Sequence, residues 1–251
     1  MQVMSFTTLR LVESKDKEAV ANMDKIMTLF RENLKHKDTY VYLQSVKGLA
    51  ACANHDPVTV IDDLSRQFSL SAMSNTDETA EVQAKLGEAM VQVTKGLGRQ
   101  MAPAHRERLL NPVLNQLSHP DDMVRASALS NLAEICKNLG FGLGGVVQEV
   151  LSCLDNAVTF DRSLQVRRAA VVVLVMLLEG LGQDTLRVLQ AAIRDIWRSL
   201  TRLRNSETDE VMLHHVAKAI GIIDKVVMDF FQPSAQLKKT IYVLDTPPSP
   251  F

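Results

Sequence analysis

Cysteine is scarce. Cys52, Cys136 and Cys153 are too few and too scattered for a disulfide scaffold, which points to a reducing compartment. Cys136 and Cys153 lack ligand-type spacing and sit among apolar neighbours, so buried structural thiols are expected there. Aromatic residues make up only 5% of the 251 residues, with Trp197 the one tryptophan, which argues against a stacking platform for nucleic acid. An excess of one charge is missing too. Lys+Arg number 28 and Asp+Glu 29, a net charge of -1, so no global basic field attracts a polyanion. The strongest apolar run, Ala169–Leu178, stops at Glu179 after ten residues, short of the roughly 20 that a membrane span needs. It reads as a buried core helix, and no transmembrane helix is expected. Met1 to Val12 has neither the basic start nor the apolar run of a signal peptide.

Catalytic signatures are missing as well. Leu139-Gly140-Phe141-Gly142-Leu143-Gly144-Gly145 has the look of a phosphate loop. It follows a helical pattern instead of a strand, and no Lys-Ser/Thr closes it, so it reads as a turn between repeats. His214-His215 is the only histidine pair, and neighbours on a helix point to different faces, a poor start for a shared metal. Gly-x-Ser-x-Gly, HExxH and paired-carboxylate motifs do not occur. No enzyme, metal or cofactor is expected.

What the sequence does have is aliphatic residues in a repeating order. Apolar residues make up 46% of the chain. Segments beginning at Val41, Val82, Val124, Val166 and Val211 align with spacings of 41, 42, 42 and 45 residues. Apolar residues recur behind each valine, as in Val46 and Leu49, Leu129 and Leu132, or Val171 and Leu174. A period of roughly 40–47 residues is that of helical-pair repeats of the HEAT and armadillo type. Gly96 and Gly98, Gly140 and Gly142, and Gly180 and Gly182 supply helix stops. In the first copy Asn54 and Pro57 take over that punctuation. The first helices of the pairs fall near Asn22–Leu34, Pro57–Phe68, His105–Leu117, Val146–Ala157 and Thr185–Leu203. No strand pattern competes. The expected fold is all-α: one HEAT/armadillo-like α-solenoid of about five helical pairs over residues 1–251.

The third and fourth copies narrow the type. His119-Pro120-Asp121-Asp122-Met123-Val124-Arg125-Ala126 and Asp161 with Val166-Arg167 resemble the opening of a HEAT second helix. That resemblance implies hydrogen bonds running along the stack, with Asp161 and Arg167 as candidate ladder residues. His119 in the aspartate slot, and Gln83 in the arginine slot of the second copy, leave the ladder incomplete. Pro112 lies inside a first helix and should kink it. Val3, Phe6, Leu9 and Val12 form a stripe with no complete repeat before them, so an exposed apolar edge is expected there.

Charge is uneven within this frame. From Asp161 to Arg204 there are eight arginines and four acids, a local excess of four positive charges. Arg194, Arg198 and Arg202 recur every four residues beside Trp197, on one helix face. Such a row is either a solvated outer face or a docking strip for an acidic or phosphorylated protein partner, since arginine suits bidentate carboxylate and phosphate contacts. After it, Ala235–Leu244 reads as a short capping segment. The prolines among Thr246–Phe251 make 245–251 a disordered tail.

The string Lys37-Asp38-Thr39-Tyr40-Val41-Tyr42-Leu43-Gln44-Ser45-Val46-Lys47-Gly48-Leu49-Ala50-Ala51 resembles the C-terminal region of the transport and Golgi organisation protein 6 family. A fungal branch is the RNA polymerase II assembly and nuclear-transport factor. A first family block is expected over 34–139. A second spans 163–200 and includes Val166-Arg167-Arg168-Ala169-Ala170 and Leu178-Glu179-Gly180-Leu181. Family members are much longer, which makes this chain resemble their C-terminal part, as a fragment or a short isoform. The resemblance implies a non-enzymatic scaffold for protein secretion and Golgi organisation, cytoplasmic and at most peripherally attached to membranes. Its partners would be secretory-pathway components. The fungal branch implies an adaptor for RNA polymerase II subunits and nuclear-pore proteins.

Overall fold

The computed structural model describes residues 2–14, 16–71 and 77–231. The expected tail at 245–251 and the capping segment Ala235–Leu244 lie outside them. Thirteen α-helices occur among the described residues: α1 (Gln2–Glu13), α2 (Lys17–Ala21), α3 (Met23–Asn33), α4 (Thr39–Ala53), α5 (Pro57–Ser71), α6 (Asp77–Leu97), α7 (Pro103–Gln116), α8 (Asp122–Leu139), α9 (Val146–Phe160), α10 (Leu164–Leu181), α11 (Thr185–Val188), α12 (Ile193–Ser206) and α13 (Glu210–Phe231). Short 3-10 turns at Gly98–Gln100, Gly140–Leu143 and Gly182–Asp184 follow α6, α8 and α10.

Local chemistry places the helix ends. Asp38 accepts hydrogen bonds from the Tyr40 and Val41 amides at the start of α4, and Asp121 accepts from the Met123 amide at the start of α8. Two histidines occupy equivalent places in their repeats and bond alike. His36 Nδ1 accepts from the Asp38 amide, and His119 Nδ1 accepts from the Asp121 amide. Each lies five residues before its repeat valine, where Asp161 accepts from the Ser163 amide in the fourth copy. At the other end, Gly98, Gly140 and Gly182 have φ of 66°, 50° and 53°, and each lies sixteen residues after its repeat valine. That backbone region is nearly closed to residues with a Cβ.

Packing turns the sequence period into layers. α4, α6, α8, α10 and α13, the helices of the five repeat valines, stack one on the next along a single layer. Their partners α3, α5, α7, α9 and α12 each pack on the following second helix. This is an all-α solenoid. α1 joins the second-helix layer by packing on α4, which buries Leu9 and Val12 while Phe6 and Leu11 stay exposed. The expected apolar edge is therefore half covered. Val41, Leu49, Leu86, Val93, Leu129, Leu132, Val173 and Leu177 run through the buried core. The ring of buried Phe30 lies against Gly48, where a Cβ would come within 2.4 Å of it. Ala128 and Ala170 are fully buried, as small residues between close helices should be.

α10 is long and apolar enough, by composition, to cross a membrane when its continuation to Val188 is counted. Its place between α8 and α13, with α9 across it, gives the physical reason for that hydrophobicity. Val166, Ala170, Val171, Val175 and Leu178 are buried there. The run Ala169–Leu178 is a core helix.

One expected helix is broken. Thr185–Leu203 is not continuous: α11 ends at Val188, and a turn at 189–192 precedes α12. Leu189 is fully buried at the break. Its carbonyl accepts from the Ala192 and Ile193 amides, which turns the chain before α12 begins.

Candidate protein-binding surface

The stack is riveted along its loops. Gln83 Nε2 of α6 donates to buried Gln116 Oε1 of α7 at 2.7 Å. Arg125 of α8 donates two hydrogen bonds to Asp161, at 2.8 and 2.9 Å, and its remaining donors reach the His119 and Pro120 carbonyls. Arg168 of α10 grips Asp209 before α13 with both arms of its guanidinium. Asp161 thus accepts from the repeat before it, whereas among the described residues Arg167 donates only within its own repeat. Its Nη1 turns back onto the Asp161 carbonyl of its own repeat at 3.1 Å. The neighbouring Arg168 takes the rung because Asp209 lies two residues before Val211, whereas Asp161 lies five before Val166. The three extra residues in the last spacing move the acceptor.

These pairs polarise their members. Asp161 is held below the usual carboxylate range, first by the hydrogen bonds from Arg125. Arg168 does the same to Asp209. Glu179 of α10 lies 3.0 Å from Lys137 of α8 and 2.7 Å from Lys218 of α13, and both contacts lower its pKa. One carboxylate so ties three consecutive second helices. At the turn edge, Arg99 donates to the Gly180 carbonyl at 3.0 Å and lies over the Phe141 ring. Buried Arg106 donates to the Gly142 carbonyl. The glycine-rich string Leu139–Gly145 is therefore packed as an inter-repeat turn.

The reactive candidates sit in unreactive settings. Burial pushes the Cys52 and Cys136 thiols up to about 12, and also raises half-buried Cys153. A thiol so raised stays protonated at neutral pH. The His214 and His215 rings meet edge to face at 5.5 Å, nearer than diverging faces suggest. Among the described residues no group of three or more metal-ligating side chains forms.

The arginine row stands clear of this network. Arg194, Arg198 and Arg202 are all exposed on α12. Arg198 lies 3.6 Å from Asp195, while Arg194 and Arg202 form no ion pair among the described residues. Trp197, beside them, donates from Nε1 to Asp224 of α13 at 3.2 Å.

A groove runs beside that row, and nothing in the sequence pattern announces it. α9 and α12 hardly touch, because α11 and the turn at Leu189 precede α12, which packs on α13 instead. The space between them is about 700 Å³. Leu151 and Val158 of α9 form one wall, Leu174 of α10 the floor, and Ile196, Leu200 and Leu203 of α12 the other wall. Asp155, Ser199 and Arg202 border it. Leu200 is the one buried side chain of α12. Ile193, Ile196 and Leu203 remain half-buried, so the helix keeps an apolar face that its own chain only partly covers.

Comparison with known proteins fits this architecture. A family model described as required for nuclear transport of RNA pol II C-terminus 1 matches residues 2–100, and a HEAT repeat model matches 109–139. The first of these matches begins well before the 34–139 block expected from the sequence. Transport and Golgi organization protein 6 of Drosophila melanogaster is 28% identical over 240 residues, covering 93% of this chain and 25% of the relative. RNA polymerase II assembly factor RTP1 of Saccharomyces cerevisiae is 22% identical over 235 residues, covering 88% of this chain and 23% of the relative. The chain spans about a quarter of the length of these curated relatives. Among solved structures, a Kap121p mutant superposes with a TM-score of 0.58 at 16% identity, over 85% of this chain and 20% of that one. Kap121p bound to Ste12p gives 0.55 at 15% identity, with the same coverage. These two likenesses show the helical-solenoid fold alone. The resemblance carried by Lys37–Ala51 therefore holds: the chain is related to transport and Golgi organization protein 6 and to the fungal RNA polymerase II assembly factor RTP1.

Proposed function

We propose that this chain is a non-enzymatic, protein-binding part of a cytoplasmic scaffold for protein secretion and Golgi organisation. Peripheral contact with secretory-pathway membranes is made through bound proteins. The observation that carries the reading is the row Arg194, Arg198 and Arg202, which is exposed, evenly spaced and largely unpaired on a solenoid helix. Guanidinium groups in this state are free to meet carboxylates or phosphates of a partner. The name of the Drosophila relative supports the secretory branch.

A second reading makes the chain an adaptor that holds RNA polymerase II subunits during assembly and nuclear import, in contact with nuclear-pore proteins. The family description over residues 2–100 and the yeast relative support it. Affinity purification from cytosolic and membrane fractions separates the two readings. The tagged wild-type chain is compared with a variant carrying R194E, R198E and R202E together. Golgi and secretory proteins in the membrane eluate, lost from the variant, support the first reading. Polymerase subunits in the cytosolic eluate, lost from the variant, support the second. A variant that keeps every partner at low salt removes the arginine row from the function.

A further inference from the structure

We infer that the groove between α9 and α12 seats an acidic amphipathic α-helix of about four turns, contributed by a partner protein. This deepens the docking reading of the α12 arginines and rests on it.

The first argument is an unfinished burial. In α7, a first helix of the same layer, Leu109, Leu110, Val113 and Leu114 are all buried. In α12 only Leu200 reaches that state, though Ile193, Ile196 and Leu203 recur at helical spacing on the same apolar side. Half-covered aliphatic side chains on both walls and a floor at Leu174 leave apolar area that gains stability when covered.

The second argument is dimension. The walls are helices of 15 and 14 residues, which at ~1.5 Å per residue makes a trough roughly 21 Å long. A helix of matching length lays residues at i, i+3, i+4 and i+7 onto such walls. An extended segment would instead press unpaired amide and carbonyl groups onto aliphatic walls, at a cost for each.

Charge selects the chemistry of the visiting helix. Arg194, Arg198 and Arg202 follow one flank of α12, and Arg202 also borders the groove. Carboxylates four residues apart on the visitor match that spacing. Asp155 lines the α9 side of the groove and Asp195 the α12 side beside Arg202, with Arg198 3.6 Å from Asp195 and outside the lining with Arg194, so the site is not a uniform cationic sheet. A polyphosphate chain or an anionic bilayer meets repulsion at those carboxylates. A helix whose carboxylates are confined to the flank over Arg202 and Arg198 avoids Asp155, and on that side Asp195 is already paired with Arg198.

The test uses the full chain and two labelled peptides of about sixteen residues, with leucines at helical spacing on one face, glutamate or lysine four residues apart on one flank, and alanine or glutamine elsewhere. Fluorescence anisotropy should show the glutamate peptide binding at least about tenfold more tightly, with the gap narrowing as salt rises from about 50 to about 300 mM. Ser199→Trp, at an exposed groove position, should weaken that binding by at least about tenfold with an unchanged melting temperature. Lys47→Trp, on exposed α4 surface, should leave it intact. Equal binding of the two peptides, or unchanged affinity in the Ser199→Trp chain, overturns the inference. If R194E, R198E and R202E abolish cellular partners while Ser199→Trp keeps them, the arginine docking reading survives and the groove inference alone falls. A synthetic peptide of residues 232–251 that outcompetes the glutamate peptide makes this chain's own segment the occupant. A dimer that Ser199→Trp dissolves makes it a second copy. Either outcome overturns the inference.

Discussion

The Ser65 hydroxyl of α5 donates a 2.9 Å hydrogen bond to the Arg108 carbonyl of α7. That carbonyl is the one Pro112 leaves without a helical donor, because proline four residues on has no amide hydrogen. α7 nevertheless continues to Gln116. A defect within one repeat is thus repaired by a side chain of the repeat before it, which couples the two units.

Ser65→Ala should cost about 1 kcal/mol, since the part-buried acceptor loses its side-chain donor. In a Pro112→Ala background the helix supplies its own amide, and the same serine substitution should cost less. The double-mutant cycle should return a coupling of about 1 kcal/mol. Urea unfolding followed by circular dichroism measures it. Equal losses in the two backgrounds would dissociate the proline from the serine.

The glycine register yields a graded series. Gly140 and Gly182 share nearly the same backbone conformation, with ψ of -124° and -122°. A Cβ on Gly182 meets nothing within 4 Å, whereas one on Gly140 would lie 2.4 Å from the Gly180 carbonyl oxygen. Gly182→Ala should therefore cost only the backbone strain, about 1–3 kcal/mol, and Gly140→Ala more than that. Gly145, with negative φ and open space, should accept alanine within about 0.5 kcal/mol. Thermal unfolding ranks the three. Any other order refutes the contact between the α8 and α10 turns as the source of the difference.

Protonation tests the Arg125–Asp161 rung. Arg125 holds the Asp161 carboxyl below its ordinary value, so the stabilisation is complete above the unfolded aspartate value of about 3.9. It is lost as the pH falls through the lower folded value. Asp161→Asn should be less stable than the parent by about 1–2 kcal/mol near neutral pH. The two unfolding free energies should converge below about pH 4. A gap that persists undiminished in acid assigns the loss to packing instead of charge.

The repeat was legible because its signals are local. Val41, Val124, Val166 and Val211 fall in the first turn of a second helix and Val82 in the second turn of α6, and Gly98, Gly140 and Gly182 end three of them, all readable by counting. The break at Leu189 was not legible. Leu189-Gln190-Ala191-Ala192 suits a helix, and only burial of Leu189 in the assembled stack explains the turn. Spacing singles out Asp161 and Arg167, while the bonds to the last repeat run from Arg168, because the acceptor Asp209 stands three residues nearer its repeat valine than Asp161 does. The same division holds at the surface. Spacing alone finds Arg194, Arg198 and Arg202, but the groove beside them exists only because α9 and α12 stand apart, a distance no periodicity records.

The last prediction separates the two sides of α12. R194E, R198E and R202E change exposed groups, of which, among the described residues, only Arg198 forms an ion pair, 3.6 Å from Asp195. Exposed pairs contribute about 0–1 kcal/mol, so the triple variant should keep its helical signal and nearly its melting temperature. Leu200→Ala on the same helix removes a side chain that is 3% exposed and should cost about 2–4 kcal/mol. Far-ultraviolet circular dichroism during thermal unfolding compares them. If the triple variant loses helicity as Leu200→Ala does, the arginines belong to the structural network, and their exposure is no sign of a docking role.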